Sequence, residues 1–167
     1  MENGDQARAA NFDCGVPVLN DWIQKRAWSS HQGGGARVYV SVDNPQDLIA
    51  SYICLSAAQA DHAVVPPRVA KGMAQSPIPV VLIGRFAVDS RYMGSGLGAF
   101  MIRHAFVEVL KVADRIGVRA IMVDAKDATS ASFYTHLGFS ASIGNALRLF
   151  IMIKDVKISL VAAGVNP

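Results

Sequence analysis

The sequence predicts an α/β fold in which a mixed central sheet carries helices on both faces, and three observations lead there. Apolar residues change between helical and strand periodicity in the order helix, hairpin, strand, helix, strand, helix, strand. Hydrophobic residues make up 51% of the 167 and charged residues 17%, a balance that suits one packed core and excludes a disordered chain. A length of 167 residues also leaves no room for a second full domain.

The elements follow in order. Residues 1–11, MENGDQARAAN, are polar and poor in strand formers, so a loose N-terminal arm is expected there. The folded domain is expected over residues 12–160, with 161–167 as a C-terminal tail. In PVLNDWIQKRAW, Val18, Leu19, Trp22, Ile23 and Ala27 share one helical face, with Lys25 and Arg26 off it. The glycine-rich run from His31 to Ala36 leads into RVYVSVD, which alternates like a half-buried strand. NPQD is turn chemistry before the strand IASYICLSAAQ, so these two strands form a hairpin. Between residues 61 and 79, Pro66, Pro67, Pro77 and Pro79 point to an irregular loop or one short helix, and loops of this length are often functional.

VVLIGRFAVD then reads as a central strand buried on both faces, which makes Arg85 an unusual occupant. Beyond a glycine cluster, Ile102, Ala105, Phe106, Val109, Ala113 and Ile116 fall at helical spacing opposite His104, Glu108, Lys111 and Arg115. Gly117 is expected to end that helix. VRAIMVDA is the next strand, Asp127 suits the N-cap of a short helix through Leu137, and Gly138 closes it. ALRLFIMIKDV is expected to supply the last strand.

Sixteen Lys and Arg against thirteen Asp and Glu leave a formal charge of +3, too small to establish nucleic-acid binding but favouring a polyanionic partner. Cys14 and Cys54 have neither zinc-ligand spacing nor a disulfide framework, so both read as small core residues of a protein from the reducing cytoplasm. No metal spacing exists, and His31, His62, His104 and His136 read as surface residues. No apolar run approaches the roughly 18 residues a membrane span needs, so a soluble protein without a membrane partner is expected.

The sharpest feature is Arg91-Tyr92-Met93-Gly94-Ser95-Gly96-Leu97-Gly98, after a buried strand and opening a helix. Glycines let a backbone approach a ligand closely, and the unpaired N–H groups of a first helical turn bind phosphate oxygens, to which Arg91 adds charge. Glycines also serve ordinary strand-to-helix turns, but three at alternate positions exceed what a turn needs. Gly94, Gly96 and Ala99 satisfy a dinucleotide-binding pattern as well. That reading is rejected, because Asp89 to Met93 intervene after the strand and a hairpin comes first. A Walker A loop fails for want of Gly-Lys-Ser/Thr.

Here the sequence resembles the GCN5-related N-acetyltransferase superfamily, whose motif Arg/Gln-x-x-Gly-x-Gly/Ala opens the acyl-CoA pyrophosphate helix and corresponds to Arg91–Gly96. Forty residues beyond Gly94, Phe133-Tyr134-Thr135-His136-Leu137-Gly138-Phe139 resembles the family's FYxxxGF motif. A narrower resemblance joins Phe12-Asp13-Cys14-Gly15 with Leu19, Trp22 and Ala27, then LIGRFAVDSRYMGSGLG, VRAIMVDAKD and LRLFIMIKDV. These look like the acetyltransferase toxins of type II toxin–antitoxin modules, which acetylate the α-amine of aminoacyl-tRNA. The family normally has a strand ahead of the Phe-Asp-Cys-Gly segment, which MENGDQARAAN does not resemble.

The resemblance implies acetyl-CoA as donor, its pantetheine lying between splayed strands at Leu82 to Val88 and Val118 to Asp124. Backbone amides around Phe86, Ala87 and Val88 would then meet the thioester oxygen and the pyrophosphate arm. Arg91, Met93, Gly94, Ser95, Gly96, Leu97 and Gly98 would form the phosphate site, with Phe133 and Asp127 beside it. The superfamily often has Asn at the Asp127 position, so the N-cap reading stands alongside. Tyr134 takes the family's role of general acid for the CoA sulfur, although a tyrosine on an apolar face also serves simply to pack, its hydroxyl on a backbone group.

The two glutamates, Glu2 and Glu108, lie in the arm and on a polar helix stripe, and no histidine occupies a motif position, so no general base stands out. Freeing a lysine amine at pH 7 costs about 4.6 kcal/mol, an α-amine only about 1 to 1.4 kcal/mol. An α-amine substrate follows. For a tRNA acceptor the candidate contacts are Lys25, Arg26, Arg37, Arg68, Lys71 and Arg85, with Arg91 at the loop. A ribbon-helix-helix antitoxin and a homodimer are implied by resemblance. The alternatives are an acetyltransferase for a small amine or a protein N-terminus, or a degenerate acyl-CoA-binding module.

Overall fold

A computed structural model describes residues 1–165; Asn166 and Pro167, the end of the expected tail, lie outside the described residues. The chain opens with helix α1 (Asp5–Arg8), which runs into a 3₁₀ turn at Ala9–Asn11 where the sequence suggested a loose arm. Polarity did not prevent helix formation because the polar groups pair locally. The Asp5 carboxylate accepts the Glu2 N–H at 2.6 Å and meets Arg8 at 3.1 Å, while Ala9 is fully buried.

Proline at the first turn starts α2 (Pro17–Lys25), and α3 (Ala27–Gln32) follows. The single helix expected here breaks at Arg26 (φ −122°, ψ −25°). The break brings Ala27 from one helix into the same core as Trp22 and Ile23 from the other. Strands β1 (Arg37–Asp43) and β2 (Leu48–Ala60) form the expected antiparallel hairpin, in register from Arg37↔Leu55 to Asp43↔Leu48 with an irregularity between Ser41 and Val42. Helix α4 (Pro67–Ala70) is one turn in the proline-rich connection to β3 (Ile78–Val88).

Burial of β3 differs from the expectation. Its Gly84 and Arg85 are exposed, so the strand is not covered on both faces at that point. Helix α5 (Leu97–Ala113) stops four residues before Gly117. The N–H groups of Arg115 and Ile116 turn back to the Val112 carbonyl at 2.9 and 3.0 Å, so the chain leaves the helix through a tight turn that needs no left-handed glycine. Strand β4 (Ala120–Asp124), α6 (Ala128–His136), β5 (Ser140–Ser142) and β6 (Asn145–Met152) follow. The final apolar run does not continue as strand: α7 (Ile153–Ala162) takes it over, burying Val156 and Leu160 at helical spacing.

The six strands are ordered β1-β2-β3-β4-β6-β5, mixed because β3 and β4 are parallel while β4–β6 and β5–β6 are antiparallel. This is the α/β class the sequence predicts. The β3–β4 ladder covers Val80–Ile83 against Ala120–Val123.

Two compact units are distinguishable, Met1–Ser56 with Gly84–Ala105, and Ala57–Ile83 with the chain from Phe106 onward. In the first, Phe12, Trp22 and Tyr52 centre the core. The Tyr52 ring lies 5.4 Å from Phe12 edge-on and 5.6 Å from Trp22 stacked, its hydroxyl donating to the Leu19 carbonyl at 3.0 Å. Cys14 and Cys54 are buried in this core, as expected of small apolar residues, and burial pushes both thiols up. In the second unit, Val65, Val69, Ile78, Ala120, Met122 and Phe150 pack together. Among the described residues no helix is long and apolar enough to cross a membrane.

Candidate active site

The first unit holds the glycine loop. Gly94 and Gly96 take φ of +77° and +85°, a conformation that side chains disfavour, and an added Cβ would meet no heavy atom within 4 Å at either position. Backbone conformation and open space above the loop are therefore both satisfied by glycine. The first intrahelical hydrogen bond of α5 runs from Phe100 N–H to Gly96 O at 3.1 Å, so the N–H groups of Leu97, Gly98 and Ala99 precede it. Together with the positive end of a seventeen-residue helix, this suits an anionic diphosphate.

Ser95 folds back, its Oγ donating to Tyr92 O at 2.6 Å and lying 3.4 Å from Leu97 N. Met93 is exposed at the loop's tip. A cavity of about 450 Å³ flanks the loop, lined by Asp43, Tyr92, Ser95, Gly96 and Phe100 among others. Phe86, Ala87 and Val88 form the end of β3 that feeds this loop, Ala87 buried and the other two partly so.

Arg91 does not point its charge at open space. Its guanidinium forms a two-point pair with Asp89, Nε to Oδ1 at 2.8 Å and Nη2 to Oδ2 at 2.7 Å, and Nη2 also donates to the Asn11 carbonyl at 3.1 Å. The base of the glycine loop is thus held by this pair. Burial alone would raise the Asp89 carboxyl, but Arg91 and the N–H groups of Asp13 and Arg91 outweigh it and hold it below the usual range. Asp89 was missed at the sequence level. The signal available was Asp two residues before Arg, an Asx turn in which Asp89 Oδ1 accepts the Arg91 N–H at 3.0 Å.

Tyr134 stands on α6 in the second unit. Asp127 caps this helix, Oδ1 accepting the Ser130 N–H at 2.7 Å, and its ion pair with Lys126 is on the surface. The N-cap reading of Asp127 holds. At the other end Gly138 (φ +95°) donates to Thr135 O at 3.0 Å and Phe139 to Tyr134 O at 3.2 Å, a Schellman closure. The same closure stacks the Tyr134 ring edge-on against Phe139 at 5.5 Å and Phe133 at 5.3 Å. The motif's spacing is therefore a folding device. Tyr134 is buried. Burial pushes the phenol well above its ordinary value, so it stays protonated at neutral pH.

The six basic candidates divide between the units. Lys25, Arg26, Arg37 and Arg85 are exposed in the first, Lys25 pairing with Asp21. The partner of Arg85 is the face of Trp22, 4.7 Å from its guanidinium carbon, a contact worth about 0.5 to 1 kcal/mol at such a site. Arg68 and Lys71 are exposed in the second unit, Arg68 meeting Asp155 at 3.2 Å. The sequence did not single out Arg119, whose guanidinium donates to the carbonyls of Val69 (3.0 Å), Arg68 (3.3 Å) and Lys71 (2.8 Å) and so pins the segment carrying both cations. Among the described residues no group of His, Cys, Asp or Glu is placed to hold a metal ion.

No family model matches the chain. It is 35% identical over 153 residues to the tRNA-acetylating toxin of Mycobacterium tuberculosis, covering 92% of this chain and 90% of that protein. Among solved structures it is similar to AtaT complexed with acetyl-methionyl-tRNAfMet (TM-score 0.83, 27% identity, 90% of each chain). It is also similar to a tyrosine-to-phenylalanine mutant of AtaT bound to the C-terminus of the antitoxin AtaR and acetyl-CoA (TM-score 0.77, 26% identity, 90% of this chain and 88% of that one).

Proposed function

Because the chain belongs to the tRNA-acetylating toxins of the GCN5-related N-acetyltransferase superfamily, we propose that it transfers acetyl from acetyl-CoA to the α-amine of aminoacyl-tRNA and so blocks translation. The observation that carries the chemistry is the presence in one chain of an open, glycine-lined helix N-terminus and of a buried tyrosine that stays protonated at neutral pH.

Bound acetyl-CoA supplies the acyl group as a thioester. The N–H groups at the start of α5 hold its diphosphate, and backbone amides over Phe86–Val88 orient the thioester oxygen. Phe133 and Phe139 fix the ring of Tyr134, whose hydroxyl gives its proton to the sulfur as the C–S bond breaks. Its raised pKa keeps that proton available throughout the neutral range. The attacking amine has to be uncharged, and an α-amine, with an ordinary pKa of about 7.7 to 8.0, needs far less help than a lysine side chain at about 10.4. The α-amine accordingly fits a sequence in which neither glutamate occupies a motif position.

Residues 12–160 work as one catalytic domain, and Lys25, Arg26, Arg37, Arg68, Lys71 and Arg85 meet the phosphates of the acceptor. The protein acts in the cytoplasm as a homodimer and is neutralised by a ribbon-helix-helix antitoxin; a relative bound to the C-terminus of its antitoxin supports the pairing with an antitoxin. The test is acetyl transfer from labelled acetyl-CoA to charged tRNA, deacylated tRNA and small amines. Label on charged tRNA alone is expected; label on small amines alone would keep the acetyltransferase and discard the toxin.

A further inference from the structure

Resting on that reading of the donor site, we infer that Asp89 is a positioning residue for the donor's diphosphate, and that Arg91 acts through Asp89 rather than on the donor. Asp89 is 1% exposed, and its two oxygens take four donors: Arg91 N–H (3.0 Å) and Nε (2.8 Å) on Oδ1, Arg91 Nη2 (2.7 Å) and Asp13 N–H (2.9 Å) on Oδ2. Its own N–H donates to Ala50 O on β2 at 2.9 Å. Ser90 follows with N–H and Oγ both on the Asp13 carbonyl at 2.9 Å.

The carboxylate therefore joins Asp13 to the 3₁₀ turn Ser90–Tyr92, while the Asp89 N–H ties the same residue to β2 and Arg91 reaches on to Asn11. The other flank of that turn is fixed as well, Tyr92 donating its hydroxyl to Asp43 Oδ2 at 2.6 Å. The glycine loop then hangs from Tyr92, whose carbonyl receives Ser95 Oγ at 2.6 Å. A buried, charged carboxylate is costly unless its partners are well placed, and here nearly all of them belong to the base of the loop. Backbone N–H groups bind a diphosphate only at the correct spacing, and a shift of about 1 Å is enough to lose most of the benefit.

The experiment compares two donors, acetyl-CoA and acetyl-pantetheine, which keeps the thioester and lacks the diphosphate, with charged tRNA as acceptor throughout. For Asp89→Asn, kcat/KM with acetyl-CoA is expected to fall roughly tenfold to a hundredfold, through KM, while kcat/KM with acetyl-pantetheine is unchanged. Arg91→Lys keeps the charge but cannot hold both carboxylate oxygens, so it should fall alongside Asp89→Asn. Tyr92→Phe, which removes one hydroxyl, tests the other flank should Asp89→Asn fail to fold. Equal losses with both donors, or an Arg91→Lys protein with wild-type KM for acetyl-CoA, overturn the positioning role alone. A wild-type protein that uses both donors equally overturns the donor-site reading and the positioning role with it.

Discussion

The Tyr134 ring is held on two sides by Phe133 and Phe139, so removing the oxygen should alter chemistry without altering the fold. Tyr134→Phe is expected to lower kcat by about 10² to 10⁴ while the melting temperature stays at or above the wild-type value. Turnover equal to wild type would remove the tyrosine from the mechanism. Because burial raises the phenol above its ordinary value of about 10, kcat/KM should rise as the α-amine deprotonates near pH 8 and show no fall from tyrosine ionisation below about pH 10. Gly94, Gly96 and Tyr134 were legible in the sequence because the residue type itself carries the signal: a left-handed backbone in one case, a spaced aromatic motif in the other. Asp89 was legible only in part: its turn with Arg91 is local, but Asp13, whose N–H also donates to it, is 76 positions away in the chain, and no local pattern reports a contact of that range.

At the scale of elements, α6 is defined at both ends by single side chains or their absence. Asp127→Ala removes the N-cap bond and should cost about 1 kcal/mol, measured by denaturant unfolding. Gly138→Ala forces a side chain into φ +95° with its Cβ 3.4 Å from Ile151 Cδ1, and should cost about 1 to 2 kcal/mol. These caps were readable because capping is a local matter of a few adjacent residues. The errors were of another kind. The run after Leu147 is apolar enough for strand or helix, and only tertiary burial of Val156 and Leu160 decides that α7 begins at Ile153. The break at Arg26 and the early end of α5 likewise answer to packing, which the helical period alone does not encode. Helix α1 was hidden because its polar side chains satisfy one another, and the buried Ala9 sits in the 3₁₀ turn that follows it.

For the molecule as a whole, the mixed α/β class was read correctly because most strands and helices carry their own periodicity, while α1, β5 and α7 were not expected. Electrostatics act at the same scale. The folded Asp89 carboxyl is held below its ordinary value, so the stability it contributes is complete above about pH 4 and drains as pH falls toward the depressed value. Melting temperatures between about pH 3 and pH 6 should therefore fall more steeply for the wild type than for Asp89→Asn. On the proposal that six exposed Lys and Arg meet tRNA phosphates, activity at low charged-tRNA concentration should drop roughly a thousandfold between about 50 and 200 mM salt; a flat response would contradict that basic surface. The most direct measurement of the central claim remains transfer of labelled acetyl from acetyl-CoA to a pool of charged tRNA, run beside deacylated tRNA and small amines. Label that appears on charged tRNA alone, and disappears with Tyr134→Phe, is the predicted result; label confined to small amines, or undiminished by the substitution, would contradict it.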